Sequence, residues 1–143
     1  MKDAPTNGIG FLLQDVARIL RRNFNRNIHD LELTQAQWQI LVYVFHHPGI
    51  RQAQLAEMLE MQPISIARLI DRMEGSGWVR RTPDPADRRA VNLYLEDKAE
   101  PILKTLRTRG AATLKHAFQG ISEEEQAIVL NILQRMRGNL ISE

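Results

Sequence analysis

A short run of strand-like alternation interrupts a chain whose apolar residues otherwise follow helical spacing. Residues 78–81 read Trp-Val-Arg-Arg, and residues 91–95 alternate valine and leucines with asparagine and tyrosine. The nine residues between them, TPDPADRRA, contain the prolines and aspartates that favour turns. Two strands around a polar loop predict a β-hairpin, and a loop of this length should project from the body of the protein.

Six helices are predicted around this hairpin, four before it and two after it. Apolar residues recur every four positions from Leu12 to Ile28. Thr34 with Gln37, and Ser122 with Glu125, have the spacing of capping boxes. The predicted helices are residues 9–29, a helix from Thr34 to the stop at residues 46–49, 51–60, 62–74, 97–119, and one from 122 to about 140. The predicted fold is therefore mainly α with a small β-hairpin.

Composition limits the possible classes of protein. The chain has 143 residues, enough for one domain that buries its own core. It contains no cysteine, which excludes disulfides and thiolate metal sites and fits a cytosolic protein. The start MKDAPTNGIG lacks the apolar stretch of a signal peptide, and no segment reaches membrane-spanning length. The net charge of +2 matters only if the arginines cluster on one surface.

The helices at 51–60 and 62–74 are joined by a tight turn, which predicts a helix-turn-helix. In the second of them, Pro63 suits the first turn. Gln62, Ser65 and Arg68 are three residues apart and share the face opposite the apolar stripe. Glutamine can pair with adenine and arginine with guanine in a major groove. Arg72 lies on a neighbouring face, where Asp71 or Glu74 could neutralise it, so its role stays open.

The hairpin then acts as a wing. Arg88 and Arg89 at its tip are predicted to enter the minor groove, where negative potential attracts arginine. Asp87 is expected to steady the arginine or the loop through an ion pair. Further residues are placed for phosphate contacts at the base of the hairpin and at the start of the third helix. These are Arg80, Arg81, Arg51 and Gln52.

At these residues the chain resembles the MarR family of bacterial transcription regulators, and within it the SlyA-like branch. The resemblance covers nearly the whole chain, and the wing pattern Asp-x-Arg at Asp87 and Arg89 is its most diagnostic part. Arg51 and Glu96 depart from it, because the family commonly has capping serine or threonine there. The matching segments are LELTQAQWQIL (31–41), QLAEMLEMQPISIARLIDRMEGSGWVRR (54–81), DRRAVNLYL (87–95) and DKAEP (97–101).

The resemblance implies a homodimeric repressor or counter-silencer on palindromic double-stranded DNA, in the cytoplasm and associated with the nucleoid. It implies one MarR-type domain, residues 1–143, with a winged helix-turn-helix at 34–95 and a dimerisation region at 1–30 and 97–143. It also implies modulation by a small, aromatic-acid effector. Arg18 and Trp38 match the region where related proteins hold a carboxylate and an aromatic ring. No cofactor is implied.

Other classes of function are less well supported by the residues. The chain has no G-x-S-x-G, phosphate loop or H-E-x-x-H motif, so no catalytic residue is predicted. Its four histidines include no H-x-x-x-H pair, and no metal site is predicted. A winged helix that binds another protein remains the alternative. That alternative favours apolar or acidic residues where Arg68, Arg88 and Arg89 stand.

Overall fold

The computed structural model describes residues 5–142 of the protein, and their side chains from residue 8 onward. Residues 1–4 and 143, at the ends of the predicted dimerisation region, lie outside the described part. The elements in chain order are α1 (Pro5–Asn27), a 3-10 turn (His29–Leu31), α2 (Gln35–His46), β1 (Ile50–Arg51), α3 (Gln52–Met58), α4 (Pro63–Gly75), β2 (Val79–Pro83), β3 (Val91–Leu95), α5 (Ala99–Ala117) and α6 (Glu123–Ile141).

The chain divides into two compact units. The winged unit is Phe24–Arg109 and contains the predicted helix-turn-helix and hairpin. The terminal unit is Met1–Asn23 with Gly110–Glu143, of which residues 5–23 and 110–142 are described. The prediction of six helices and a small β wing is confirmed.

The core of the winged unit joins residues of α2, α3, α4, α5 and all three strands. Helices α2, α3, α4 and α5 contribute buried apolar side chains, and Leu93 of β3 is fully buried among them. The buried apolar residues are Ile28, Ile40, Leu41, Val44, Ile50, Leu55, Ala56, Ile66, Ile70, Met73, Val79, Leu93, Ala99, Leu103 and Leu106.

The predicted hairpin belongs to a three-stranded antiparallel sheet with the order β1-β3-β2. Strand β2 pairs with β3 from Val79 opposite Leu95 to Pro83 opposite Val91. The third strand, β1, was not predicted. It has only two residues, too few for a period of two to be visible, and it forms because Ile50 pairs with Leu93. The wing is thereby hydrogen-bonded to the residue that precedes α3.

Both predicted capping boxes are present. The Thr34 hydroxyl accepts from the Gln37 N–H at 3.1 Å, and the Gln37 side chain accepts from the Thr34 N–H at 2.9 Å. Ser122 and Glu125 make the same pair of bonds at 3.1 and 3.0 Å. The Ser122 N–H thereby lowers the pKa of the Glu125 carboxyl. These bonds satisfy backbone donors that a first helical turn leaves unpaired.

The helix-turn-helix has a weak cap and a tight turn, as the sequence indicated. Arg51 caps α3 without an acceptor side chain, and only the reciprocal bond from its N–H to Gln54 Oε1 forms, at 3.3 Å. At the other end Glu60 is left-handed, with φ of 53°. This conformation lets the Met61 N–H reach the Ala56 carbonyl at 2.9 Å, which closes the turn.

Some predicted positions were wrong. Helix α1 ends at Asn27, and a 3-10 turn follows where the helix was predicted to reach residue 29. Met58, an apolar residue of the predicted helix 51–60, is 46% exposed. The buried face of α3 is formed by Leu55 and Ala56, and at 3.6 residues per turn Met58 falls outside it.

The terminal unit exposes its apolar side chains. Within residues 8–23 and 110–142, Thr113 is the only buried residue. The stripe predicted on α1 is open to solvent there, with Leu12 58% and Val16 48% exposed. Helix α6 presents a second such surface. Its exposed apolar residues are Ile128, Val129, Leu130, Ile132, Leu133, Leu140 and Ile141.

Candidate DNA-binding surface

Helix α4 presents a polar face to solvent. Its opposite face is fixed in the core by Ile66 and Ile70, which are 1% and 0% exposed. Gln62 caps the helix in an extended conformation, followed by Pro63 in the first turn. Both are exposed, as are the two polar residues that follow on the same face, Ser65 and Arg68. No side-chain hydrogen bond or ion pair within residues 8–142 involves Gln62, Ser65 or Arg68, so their polar groups are available to a ligand.

The wing loop is held in shape by its own backbone. The Asp84 N–H donates to the Ala90 carbonyl at 3.2 Å, and the Ala90 N–H donates to the Asp87 carbonyl at 3.1 Å. Asp87 Oδ1 accepts from the Arg89 backbone N–H at 2.9 Å. The expected ion pair of Asp87 was therefore wrong: its carboxylate binds the loop backbone. The side chains of Arg88 and Arg89 are exposed and have no partner among the described residues.

Arg51, predicted to be placed for a phosphate, forms a link to the wing. Its Nε donates to Asp84 Oδ2 at 3.1 Å, 33 positions further along the chain. The other oxygen of Asp84 accepts from the Ala86 N–H at 2.8 Å. This N–H, followed by the charge of Arg51, lowers the pKa of the Asp84 carboxyl. The side chain of Arg51 is still 44% exposed.

Arg81 points inward. Its Nε donates to Gln52 Oε1 at 2.9 Å, and its Nη2 donates to the Ala67 carbonyl at 2.9 Å. Its Nη1 lies against Asp71 and, at 3.4 Å, against Glu74. The side chain is only 21% exposed. Both residues predicted to be placed for phosphates here, Arg81 and Gln52, are thus bound to each other.

The partners of Asp71 and Glu74 also differ from the expectation. The sequence placed them beside Arg72, one and two positions away. In the structure both carboxylates pair with Arg81 on the wing, ten and seven positions away. Sequence spacing along one helix cannot indicate such a tertiary pairing, and no local pattern distinguishes Arg81 from Arg80. Arg80 is exposed over the Tyr94 ring, 4.9 Å from its centroid.

The two residues assigned to an effector each have a partner already. In the terminal unit, Arg18 Nη2 lies 2.9 Å from Asp15 and its side chain is 57% exposed. In the winged unit, Trp38 Nε1 donates to Asn25 Oδ1 at 2.8 Å, and its ring meets Phe24 edge-on at 4.8 Å. Their effector role stays a prediction.

The described part of the chain offers neither a metal centre nor a membrane span. No group of three or more histidine, cysteine, aspartate or glutamate side chains within it could hold a metal ion. None of the helices between residues 5 and 142 is sufficiently long and apolar to cross a bilayer.

Known proteins share the segment of the chain that carries this surface. The model of the MarR family matches residues 33–91, the segment with the helix-turn-helix and wing. An HTH-type transcriptional regulator of Bacillus subtilis strain 168, YybA, is 31% identical over 125 residues, which are 87% of this chain and 83% of that protein.

Two solved structures share the fold over almost the full length. The transcriptional regulator SlyA is 30% identical, with a TM-score of 0.74 over 92% of this chain and 93% of that one. The transcriptional repressor CouR, solved on a 23-mer DNA duplex, is 23% identical, with a TM-score of 0.72 over 96% of this chain and 98% of that one.

Proposed function

This chain belongs to the MarR family, whose members are transcription regulators and not enzymes, and we propose that it binds a palindromic operator as a homodimer. One observation supports this most directly. Arg68 on α4 and Arg88 and Arg89 on the wing are exposed and have no side-chain partner in the described part of the chain, whereas Arg81 on β2 is bound internally. Helix and wing thereby offer free guanidinium groups for the major and minor grooves.

The dimer part of the proposal is supported by the terminal unit. Large apolar side chains on α1 and on α6 are exposed in the single chain, and an accumulation of exposed apolar side chains marks an interaction site. A second copy would cover it with the same surface, as in other twofold-symmetric dimers. Two winged units would then read half-sites about one helical turn apart.

Regulation is the finer part of the proposal. We infer a SlyA-like repressor or counter-silencer, for which the likeness to SlyA and the DNA complex of CouR are the support. A small aromatic acid would release it by changing the separation of the two recognition helices. The assignment of Arg18 and Trp38 to such a ligand rests on the sequence resemblance alone. The test is to measure the DNA affinity with and without substituted benzoates. If none of them changes the affinity, this part of the proposal is wrong.

The first experiment is fluorescence anisotropy with DNA from upstream of the protein's own gene and scrambled DNA of equal length. Both are titrated across a salt series. The proposal requires tighter binding to the native segment and a steep fall of affinity with salt, because phosphate contacts release counterions. If the protein binds the native segment no more tightly than scrambled DNA, the same test is extended by selecting bound sequences from fragmented genomic DNA. Failure to enrich any sequence would refute a specific regulator.

Replacing Arg89 by alanine should weaken binding to every DNA sequence. The minor-groove interaction depends mainly on charge, so the slope of log affinity against log salt should also become shallower, by roughly one unit for each phosphate that is no longer neutralised. Arg137→Ala, which removes the same charge from α6, is the matched control and should bind like the parent. Equal affinity and slope for Arg89→Ala and Arg137→Ala would contradict the assignment of the wing.

Arg68→Ala should have a different signature from Arg89→Ala. A bidentate arginine–guanine contact contributes about 1–3 kcal/mol, so the operator affinity should fall while scrambled DNA is bound almost as before. Binding to operators substituted at each position should show that the preference is relaxed at a single base pair of each half-site. Arg72→Ala removes equal charge from a neighbouring face of α4. If Arg68→Ala and Arg72→Ala lowered the affinity for operator and for scrambled DNA by the same factor, Arg68 would contribute only its charge.

A further inference from the structure

Arg81 links three elements of the winged unit. It lies on β2, at the base of the wing, and its guanidinium reaches Gln52 at the start of α3 and Ala67, Asp71 and Glu74 on α4. Its backbone N–H also donates to Glu74 Oε2 at 2.9 Å. Strand β2 is one of the two edge strands of the sheet, so this bond satisfies a donor on an open edge.

The position of these contacts along α4 is significant. The Ala67 carbonyl that Arg81 holds belongs to the residue directly before Arg68. The planar fork of a guanidinium fixes direction as well as distance, which an ammonium group does not. Arg81 thus ties the wing to the turn of α4 that presents Arg68.

The acidic partners would otherwise be unfavourable on a DNA-binding surface. Asp71 and Glu74 have side chains 64% and 41% exposed on the helix that is to meet DNA. Carboxylates there repel phosphates unless they are neutralised. Single exposed ion pairs contribute little to stability. We therefore expect the main effect of this cluster to be on the position of the wing relative to α4, and not on the free energy of unfolding.

We propose that Arg81, with Asp71 and Glu74, is a positioning device that holds the wing at the angle required for Arg89 and Arg68 to bind adjacent grooves together. This inference rests on the proposed function and replaces the phosphate contact predicted for Arg81. It has an unusual consequence. Removing negative charge by Glu74→Gln should weaken operator binding, whereas plain electrostatics predicts tighter binding.

The test compares Glu74→Gln with Glu57→Gln by anisotropy on operator and scrambled DNA. Glu57 is an exposed glutamate on α3 with no side-chain partner among the described residues, so it makes the same charge change without touching Arg81. Glu74→Gln should lower the operator affinity roughly 10-fold, within the range of measured coupling between contacting residues. Glu57→Gln should bind as tightly as the parent or slightly tighter.

Arg81→Lys and Arg81→Met separate positioning from phosphate contact. If Arg81 positions the wing, both variants should weaken operator binding, since lysine keeps the charge but loses the planar fork. The salt slope of both variants should equal that of the parent. The double variant Arg81→Met/Glu74→Gln should be no weaker than Arg81→Met alone. Thermal melting tests whether each variant is folded. If Arg81→Met is unfolded, the operator affinities of Glu74→Gln and Arg81→Lys test the positioning role.

Each outcome bears on a distinct claim. If the parent enriches no sequence, the proposed function fails and the positioning role fails with it. If the parent binds its operator and Glu74→Gln binds equally well or tighter, the positioning role alone is refuted. A salt slope reduced by Arg81→Met and preserved by Arg81→Lys would also refute it, since that is the signature of a phosphate contact.

Discussion

Replacing Leu12 by glutamate should leave a folded monomer that no longer distinguishes its operator from other DNA. The Leu12 side chain is 58% exposed in the single chain, so a carboxylate there costs the isolated fold little. In a dimer the same carboxylate would be buried against apolar residues of the second copy without a cation to pair with. Loss of the second half-site should reduce operator affinity about 10³-fold, toward non-specific binding.

Light scattering and anisotropy measure the two parts of this result. Gln14→Glu places the same charge on the same helix, two residues away and outside the stripe, and should remain a dimer with the operator affinity of the parent. A Leu12→Glu protein that stayed dimeric would show that another surface holds the two copies together. A monomer that kept full operator affinity would refute the two-half-site model.

Ile70→Ala should be the most destabilising of the changes considered. Ile70 is 0% exposed on the buried face of α4, and truncation leaves a cavity that the packed core fills only in part. The expected loss in the free energy of unfolding is about 2–5 kcal/mol. Urea denaturation followed by circular dichroism measures it through the midpoint at an unchanged slope.

Ile64→Ala is the control on the same helix. The chemical change is identical, but Ile64 is 59% exposed, so the expected loss is within about 0.5 kcal/mol. Comparable losses for the two variants would mean that α4 does not bury the face described here. Operator binding by Ile70→Ala is to be measured well below its melting temperature, so that unfolding is not mistaken for impaired recognition.

The fold was largely predictable because its signals are local. Thr34 and Ser122 cap their helices through residues three positions away, and a pattern of that length is visible in the sequence. The apolar face of α4 follows from the period of the helix. The two-residue strand β1 was missed because it has no period of its own and is formed by pairing with β3.

The candidate site was predictable in its exposed residues and not in its internal ones. Gln62, Ser65 and Arg68 lie on the open face that their spacing predicts. Arg81 and Arg51 belong to the same basic pattern, but their partners are seven to 33 positions away. Whether an arginine faces solvent or an internal carboxylate is decided by how strands and helices pack, and composition does not contain that information.

One residue belongs to both the sheet and the helix-turn-helix. Arg51 ends β1, where it pairs with Asn92 of β3, and it is also the residue that caps α3. Its guanidinium in turn holds Asp84 of the wing loop. Fraying of the wing would therefore remove the cap of α3, and loosening of α3 would release an edge of the sheet. The wing and the helix-turn-helix should accordingly exchange their amide hydrogens as one cooperative unit. No local opening of low free energy should expose the wing alone.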